Sequence, residues 1–127
     1  MPIYGVGIDI VVVARLEKSL ERFGARFESR VFTDFELEYC SARKGRTACL
    51  AMRFAAKEAF VKAMGLGMRK PLLWRDIEVR PDALGKPEIA LSPRALDYCA
   101  EKGVRFWHLS LTDEGEYAAA VVVTESG

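Results

Sequence analysis

Apolar residues at Ile3, Val6 and Ile8 lead through two glycines into residues 10–13, a β-branched run that predicts a buried strand. Gly5 and Gly7 within it leave room for another backbone to come close. Over residues 14–27 the period changes. Leu16, Leu20 and Phe23 or Phe27 recur at helical spacing while Arg15, Glu17, Lys18, Glu21, Arg22 and Arg26 face elsewhere, which predicts a charged amphipathic helix. Thr33 followed by Glu36 has capping-box spacing and starts a second, short helix that runs to about residue 42. The basic segment 43–46 reads as a loop. A third helix, the longest, is predicted over residues 47–64, ending at Gly65 or Gly67, where a left-handed cap fits.

Residues 77–80 and 88–91 have the look of two short strands, joined through the turn formers Pro81, Asp82, Gly85 and Pro87. Ser92-Pro93 supplies an N-cap and first-turn proline, and Gly103 a C-cap, for one more helix. Residues 104–112 alternate Phe106, His108, Ser110 and Thr112 against Trp107, Leu109 and Leu111, and residues 117–124 pair back as a hairpin. These elements predict an α+β fold with a largely antiparallel sheet. With 127 residues, half of them hydrophobic, and no repeat or linker, the chain is expected to form one domain over residues 1–127.

Charge narrows the function. A formal net charge of +1 gives no overall basic field for nucleic acid, so electrostatic work must come from local clusters. The apolar stretches near Val11 and Val121 are shorter than the roughly 20 residues a membrane helix needs, and no secretory leader pattern opens the chain. Cys40, Cys49 and Cys99 lack zinc-site spacing and are expected as reduced thiols, which suits a cytoplasmic protein.

Two carboxylates interrupt apolar patterns. Glu58 shares a helical stripe with Ala51, Phe54, Val61, Lys62 and Gly65. It either pairs with Lys62 four residues on or binds a metal. Asp9 breaks the strand between Ile8 and Ile10, either satisfied by backbone amides at a strand end or, again, ligating. Two such oxygen donors without a histidine–cysteine cluster favour magnesium over zinc, with manganese acceptable to the same site. Lys44, Arg46, Arg53, Lys57 and Lys62 supply positive charge for phosphate around the long helix. His108, the single histidine, is expected half-buried and satisfied beside Phe106 and Ser110. There is no Gly-x-Gly-x-x-Gly or Walker-type loop.

Gly7-Ile8-Asp9-Ile10, the stretch Arg53-Phe54-Ala55-Ala56-Lys57-Glu58-Ala59-Phe60-Val61-Lys62-Ala63, Gly85-Lys86-Pro87, His108-Leu109-Ser110-Leu111-Thr112 and Tyr117-Ala118-Ala119-Ala120 occur in that order. Together they resemble the short phosphopantetheinyl transferases of the holo-acyl-carrier-protein synthase type. The resemblance implies transfer of the phosphopantetheine arm of coenzyme A to a serine of apo-acyl carrier protein, releasing adenosine 3′,5′-bisphosphate. It implies Asp9 and Glu58 as magnesium ligands, with Lys62 on phosphate and either Glu58 or a metal-bound water as base. Lys44, Arg53 and His108 correspond to the coenzyme A phosphate region, and Gly65, Lys86 and Pro87 to the nucleotide wall. Such chains are usually homotrimers with active sites between subunits. Asp113 departs from the histidine many members carry there.

Carrier proteins are acidic, and Arg15, Arg22 and Arg26, seven and four residues apart, give the first helix a basic face toward such a partner. Arg15 and Arg22 match basic positions the family uses for it. The competing readings are a magnesium-dependent diphosphate hydrolase and a non-catalytic module that binds acidic proteins.

Overall fold

The computed structural model describes residues 2–127; Met1 of the expected domain lies outside them. Strand β1 (Ile3–Val12) runs directly into helix α1 (Val13–Val31). Helices α2 (Asp34–Ser41) and α3 (Arg46–Ala63) follow, then a 3-10 turn at Trp74–Asp76, β2 (Ile77–Pro81) and β3 (Pro87–Leu91). Helix α4 (Pro93–Glu101) and the hairpin of β4 (Val104–Glu114) and β5 (Tyr117–Ser126) complete the chain. All pairing is antiparallel, in one sheet of order β1-β5-β4 and one of β2 with β3. The α+β expectation and every expected element are therefore present, but the first strand is not buried as expected: its outward residues Ile8 and Ile10 are 62% and 64% exposed because α3 covers only the opposite face. No helix among the described residues is long and apolar enough to cross a membrane.

Local chemistry explains the boundaries. The Glu36 N–H donates to the Thr33 hydroxyl at 3.3 Å, and the Thr33 N–H donates to the Glu36 carboxylate at 3.0 Å, closing the capping box of α2. Ser92 caps α4 ahead of Pro93. Gly65 and Gly103 turn left-handed just past α3 and α4, with φ of 72° and 76°. Two further expectations are corrected. α1 continues past residue 27 to Val31, because Gly24 (φ 59°, ψ −142°) interrupts it and a second helical segment resumes. Cys40 and Cys49 are not separate thiols: the short turn after α2 brings the first turn of α3 beside it, and the two form a disulfide across a Cα–Cα distance of 5.5 Å. Cys99 remains a buried thiol, which burial pushes up to about 11.

α3 packs on the inner face of the larger sheet. Ala55, Ala56, Ala59 and Phe60 meet Leu109, Ala120 and Val122 in one apolar cluster, while Leu16, Val31, Phe32, Leu50 and Ala51 form a second against Ala118. Along β1 the odd positions Gly5, Gly7, Asp9 and Val11 face this interior, and Tyr4, Val6, Ile8 and Ile10 face out. A methyl group at Gly7 would overlap the carbonyl oxygen of Ala59, and one at Gly5 that of Ala63. The Thr124 hydroxyl, on β5, donates to the Gly5 carbonyl at 3.2 Å and to that of Ala63 at 3.4 Å, tying the three elements together.

The Gly7→Ala variant is accordingly expected to lose at least about 2 kcal/mol of stability, since backbone rather than a flexible side chain must move. Urea unfolding tests this, and a midpoint equal to wild type would contradict so close an approach.

Candidate active site

Where α3 crosses β1, three of the sequence candidates meet. The Lys62 ammonium donates to Asp9 Oδ1 at 3.1 Å and to the Ile8 carbonyl at 3.0 Å. The Asp9 carboxylate is 16% exposed and the Lys62 side chain 51%. Lys62 therefore pairs with the strand carboxylate rather than with Glu58, its neighbour one turn back. Glu58 is half-buried and shares with Asp9 a cleft of about 320 Å³, walled by Arg15, Leu16, Phe27 and Phe54. Burial, then the Asp9 carboxylate, hold the Glu58 carboxyl above its ordinary range, with Lys62 opposing them.

Two carboxylates facing one cleft, with the nearby ammonium already engaged by one of them, leave negative charge in need of neutralising. The donors are all oxygen, and no group of three or more candidate ligands gathers anywhere among the described residues. That set fits a hard divalent cation completed by water and substrate phosphate.

Lys44 and Arg53 belong to a second cleft, of about 260 Å³, shared with Tyr39, Arg43 and Asp113. Arg53 is 6% exposed; its Nη1 donates to the Cys49 carbonyl at 3.3 Å and its guanidinium lies 4.8 Å from the Tyr39 ring centre. Arg53 Nε, also buried, has no hydrogen-bond partner. An unsatisfied buried donor is costly, and an anion in the cleft would satisfy it. Arg43 stacks over the other candidate wall, 3.6 Å from the Tyr39 ring centre. Neither Arg43 nor Tyr39 stood out in the sequence, where an exposed loop arginine carries no sign of its stacking partner.

Lys86, Pro87 and His108 line a third, small cleft of about 100 Å³, between β3 and β4. His108 is exposed, not half-buried: its strand position puts it on the outer sheet face, where Nε2 lies 2.6 Å from the Glu125 carboxylate. Gly65 is exposed at the end of α3. Within one copy of the chain, then, the site candidates occupy three separate clefts. One of the expected phosphate cations is corrected outright: Lys57 is completely buried and paired with Glu36 at 2.8 Å. Arg46 lies at the surface, paired with Glu28 at 3.0 Å.

On α1, Arg15 joins the Asp9–Glu58 cleft, and Arg22 is exposed over the Phe23 ring at 5.2 Å. Arg26 lies beyond the Gly24 break, so helical spacing from Arg22 no longer describes it, and it lines a groove of about 540 Å³ with Phe23, Phe27 and Arg30.

The sequence model of the 4′-phosphopantetheinyl transferase superfamily matches residues 5–122. The chain belongs to that superfamily. It is 46% identical over 124 residues to the holo-[acyl-carrier-protein] synthase of Trichlorobacter lovleyi, covering 98% of each chain. Its fold matches the crystal structure of the holo-[acyl-carrier-protein] synthase from Neisseria meningitidis with a TM-score of 0.94 and 40% identity, over 98% of this chain and 100% of that one. It also matches the Helicobacter pylori holo-[acyl-carrier-protein] synthase in complex with coenzyme A, with a TM-score of 0.85 and 33% identity, over 94% and 99% of the two chains.

A carboxyl with raised proton affinity in the folded chain costs stability once pH exceeds its unfolded value, and the cost vanishes below that value. Without divalent metal, Glu58→Gln should therefore raise Tm at neutral pH, and the gain should shrink as pH falls through the raised folded value and be gone below the ordinary glutamate value of 4.5. Calorimetry across that range checks it; a gain independent of pH would rule out the electrostatic origin.

Proposed function

We propose that this chain transfers the 4′-phosphopantetheine group of coenzyme A to a serine hydroxyl of an apo-acyl carrier protein, releasing adenosine 3′,5′-bisphosphate. The observation that carries the reading is the meeting of Asp9, Glu58 and Lys62 at one crossing of β1 and α3, in a chain of this family. Residues 1–127 would form one transferase domain, working in the cytoplasm.

Asp9 and Glu58 would hold magnesium, or manganese in its place, through carboxylate oxygens. When bound, that ion supplies charge neutralisation for the diphosphate and the departing bisphosphate. The serine oxygen attacks the phosphorus that carries the pantetheine arm, the bond from that phosphorus to the bridging oxygen breaks, and the bridging oxygen leaves on the bisphosphate. The serine proton would pass to the Glu58 carboxylate or to a water held in the same cleft. Lys62, half-exposed beside Asp9, can turn its ammonium to a phosphate oxygen as negative charge builds. Lys44 and Arg53 would bind the remaining phosphate of coenzyme A, satisfying the orphaned Arg53 Nε. Arg15, Arg22 and Arg26 would face the acidic carrier protein, with Arg15 reaching from that surface to the reacting cleft.

Gly65, Lys86 and Pro87 would complete the nucleotide wall and His108 the coenzyme A phosphate region, but Lys86, Pro87 and His108 line a different cleft of the same copy and Gly65 lies apart at the end of α3. A homotrimer reconciles the two. The outer sheet face exposes Val6 at 58%, Ile8 at 62% and Ile10 at 64%, beside Val121 and Val123 of β5. Such a continuous apolar patch on a sheet supports a contact between copies, which in a trimer closes heterologously around a threefold axis. Introducing a charge there is the test: Val6→Glu should convert trimer to smaller species in sedimentation equilibrium and lower transfer by at least about tenfold. A trimer that persists with full activity would remove this face from the assembly.

Intact-mass spectrometry of apo-acyl carrier protein incubated with the chain and coenzyme A tests the reaction. A phosphopantetheine mass gain is expected, lost with chelator and lowered at least about a hundredfold in Asp9→Ala and Glu58→Ala. Free phosphopantetheine released without any carrier protein would identify a hydrolase instead.

A further inference from the structure

Lys57 and Glu36 form an ion pair in which neither side chain has any exposure to solvent. The Lys57 ammonium donates to Glu36 Oε1 and to the backbone carbonyls of Trp74, at 3.0 Å, and Ile77. The two Glu36 oxygens also accept the N–H groups of Thr33, at 3.0 Å, and Val79, at 2.8 Å. One buried knot thus joins α2, α3, the 3-10 turn and β2.

Stability does not account for it. A buried pair of this kind costs about as much in desolvation as it returns, and apolar residues of similar volume often serve as well. What the knot adds is direction, because its donors and acceptors fit in one geometry only. Lys57 immediately precedes Glu58, so fixing the buried side of α3 fixes the angle at which Glu58 enters the cleft opposite Asp9. The knot also holds Trp74, whose ring packs on Phe54 at 4.8 Å between centres, and Phe54 walls the same cleft.

We propose that Glu36 and Lys57 are a positioning pair for the transfer reaction. By setting the rotation of α3 and the seat of Trp74 against Phe54, they set the spacing of Asp9 and Glu58 on which metal binding depends. The proposal rests on the transferase reading for its activity arm alone.

Its test uses two charge-neutral double variants, Glu36→Gln/Lys57→Met and the fully apolar Glu36→Leu/Lys57→Met. For each, thermal unfolding is recorded, manganese binding is followed by electron paramagnetic resonance without substrates, and transfer to carrier protein is measured. At least one variant is expected to keep the wild-type fold while its manganese affinity and kcat fall about tenfold or more, with KM for coenzyme A little changed. Manganese affinity and kcat both at wild-type level in a folded variant would overturn the proposal. Failure of both variants to fold would overturn it too, since the pair would then serve folding alone. Wild-type chain inactive on carrier proteins would refute the transferase reading, while manganese binding would still judge the pair.

Discussion

The fold turns on how near α3 comes to β1. Helix and strand backbones normally stand apart by the thickness of their side chains, but Gly5 and Gly7 let the helix settle directly onto the strand at Ala63 and Ala59. Asp9 is the next inward-facing position along that strand. It is delivered beside Lys62 and into the cleft with Glu58 without any loop to position it. A site assembled from a strand and a helix in backbone contact keeps its spacing better than one hung on flexible segments.

Charge bookkeeping then separates scaffold from site. Most of the ionic groups drawn into the structure are closed off by partners. Lys57 is matched by Glu36, Arg46 by Glu28, and Asp76 by the guanidinium of Arg94 at 2.7 Å with Ser92 at 2.6 Å. What remains unbalanced lies in two clefts. Glu58 carries a carboxylate that burial and Asp9 both disfavour, and Arg53 carries a buried N–H that nothing accepts. One cleft calls for a cation and the other for an anion, and the proposed transfer from a diphosphate with a divalent metal would supply both.

The sequence was legible wherever information is local. Thr33 with Glu36, Ser92 with Pro93, and glycines past helix ends name their elements because capping acts over three or four residues. Asp9 and Glu58 stood out as polar interruptions of apolar patterns, and the structure does bring them to one cleft. The misreadings share a cause. Lys57 looked like a phosphate ligand because Glu36 lies 21 positions away and appeared only as a cap, although its carboxylate does both tasks. Cys40 and Cys49 were too ordinary in spacing to announce that α2 and α3 meet there. His108 was placed correctly by alternation on its strand, but alternation does not say which face is covered.

That last ambiguity leads to a property of β1 itself. Its inward residues are Gly5, Gly7 and Asp9, and its outward ones are Tyr4, Val6, Ile8 and Ile10. The first set brings the helix close and places a carboxylate in the cleft; the second forms the exposed apolar face on which the proposed trimer depends. Because successive residues of a strand point oppositely, a shift of one position in the pairing of β1 with β5 would exchange the two sets and destroy both at once. Site and assembly surface are thus held by one register, maintained by pairs such as Ile8 with Val121 and Asp9 with Ala120. A contact between copies that steadies β1 also steadies Asp9, and so couples the apolar outer face to the charged inner one through a single backbone.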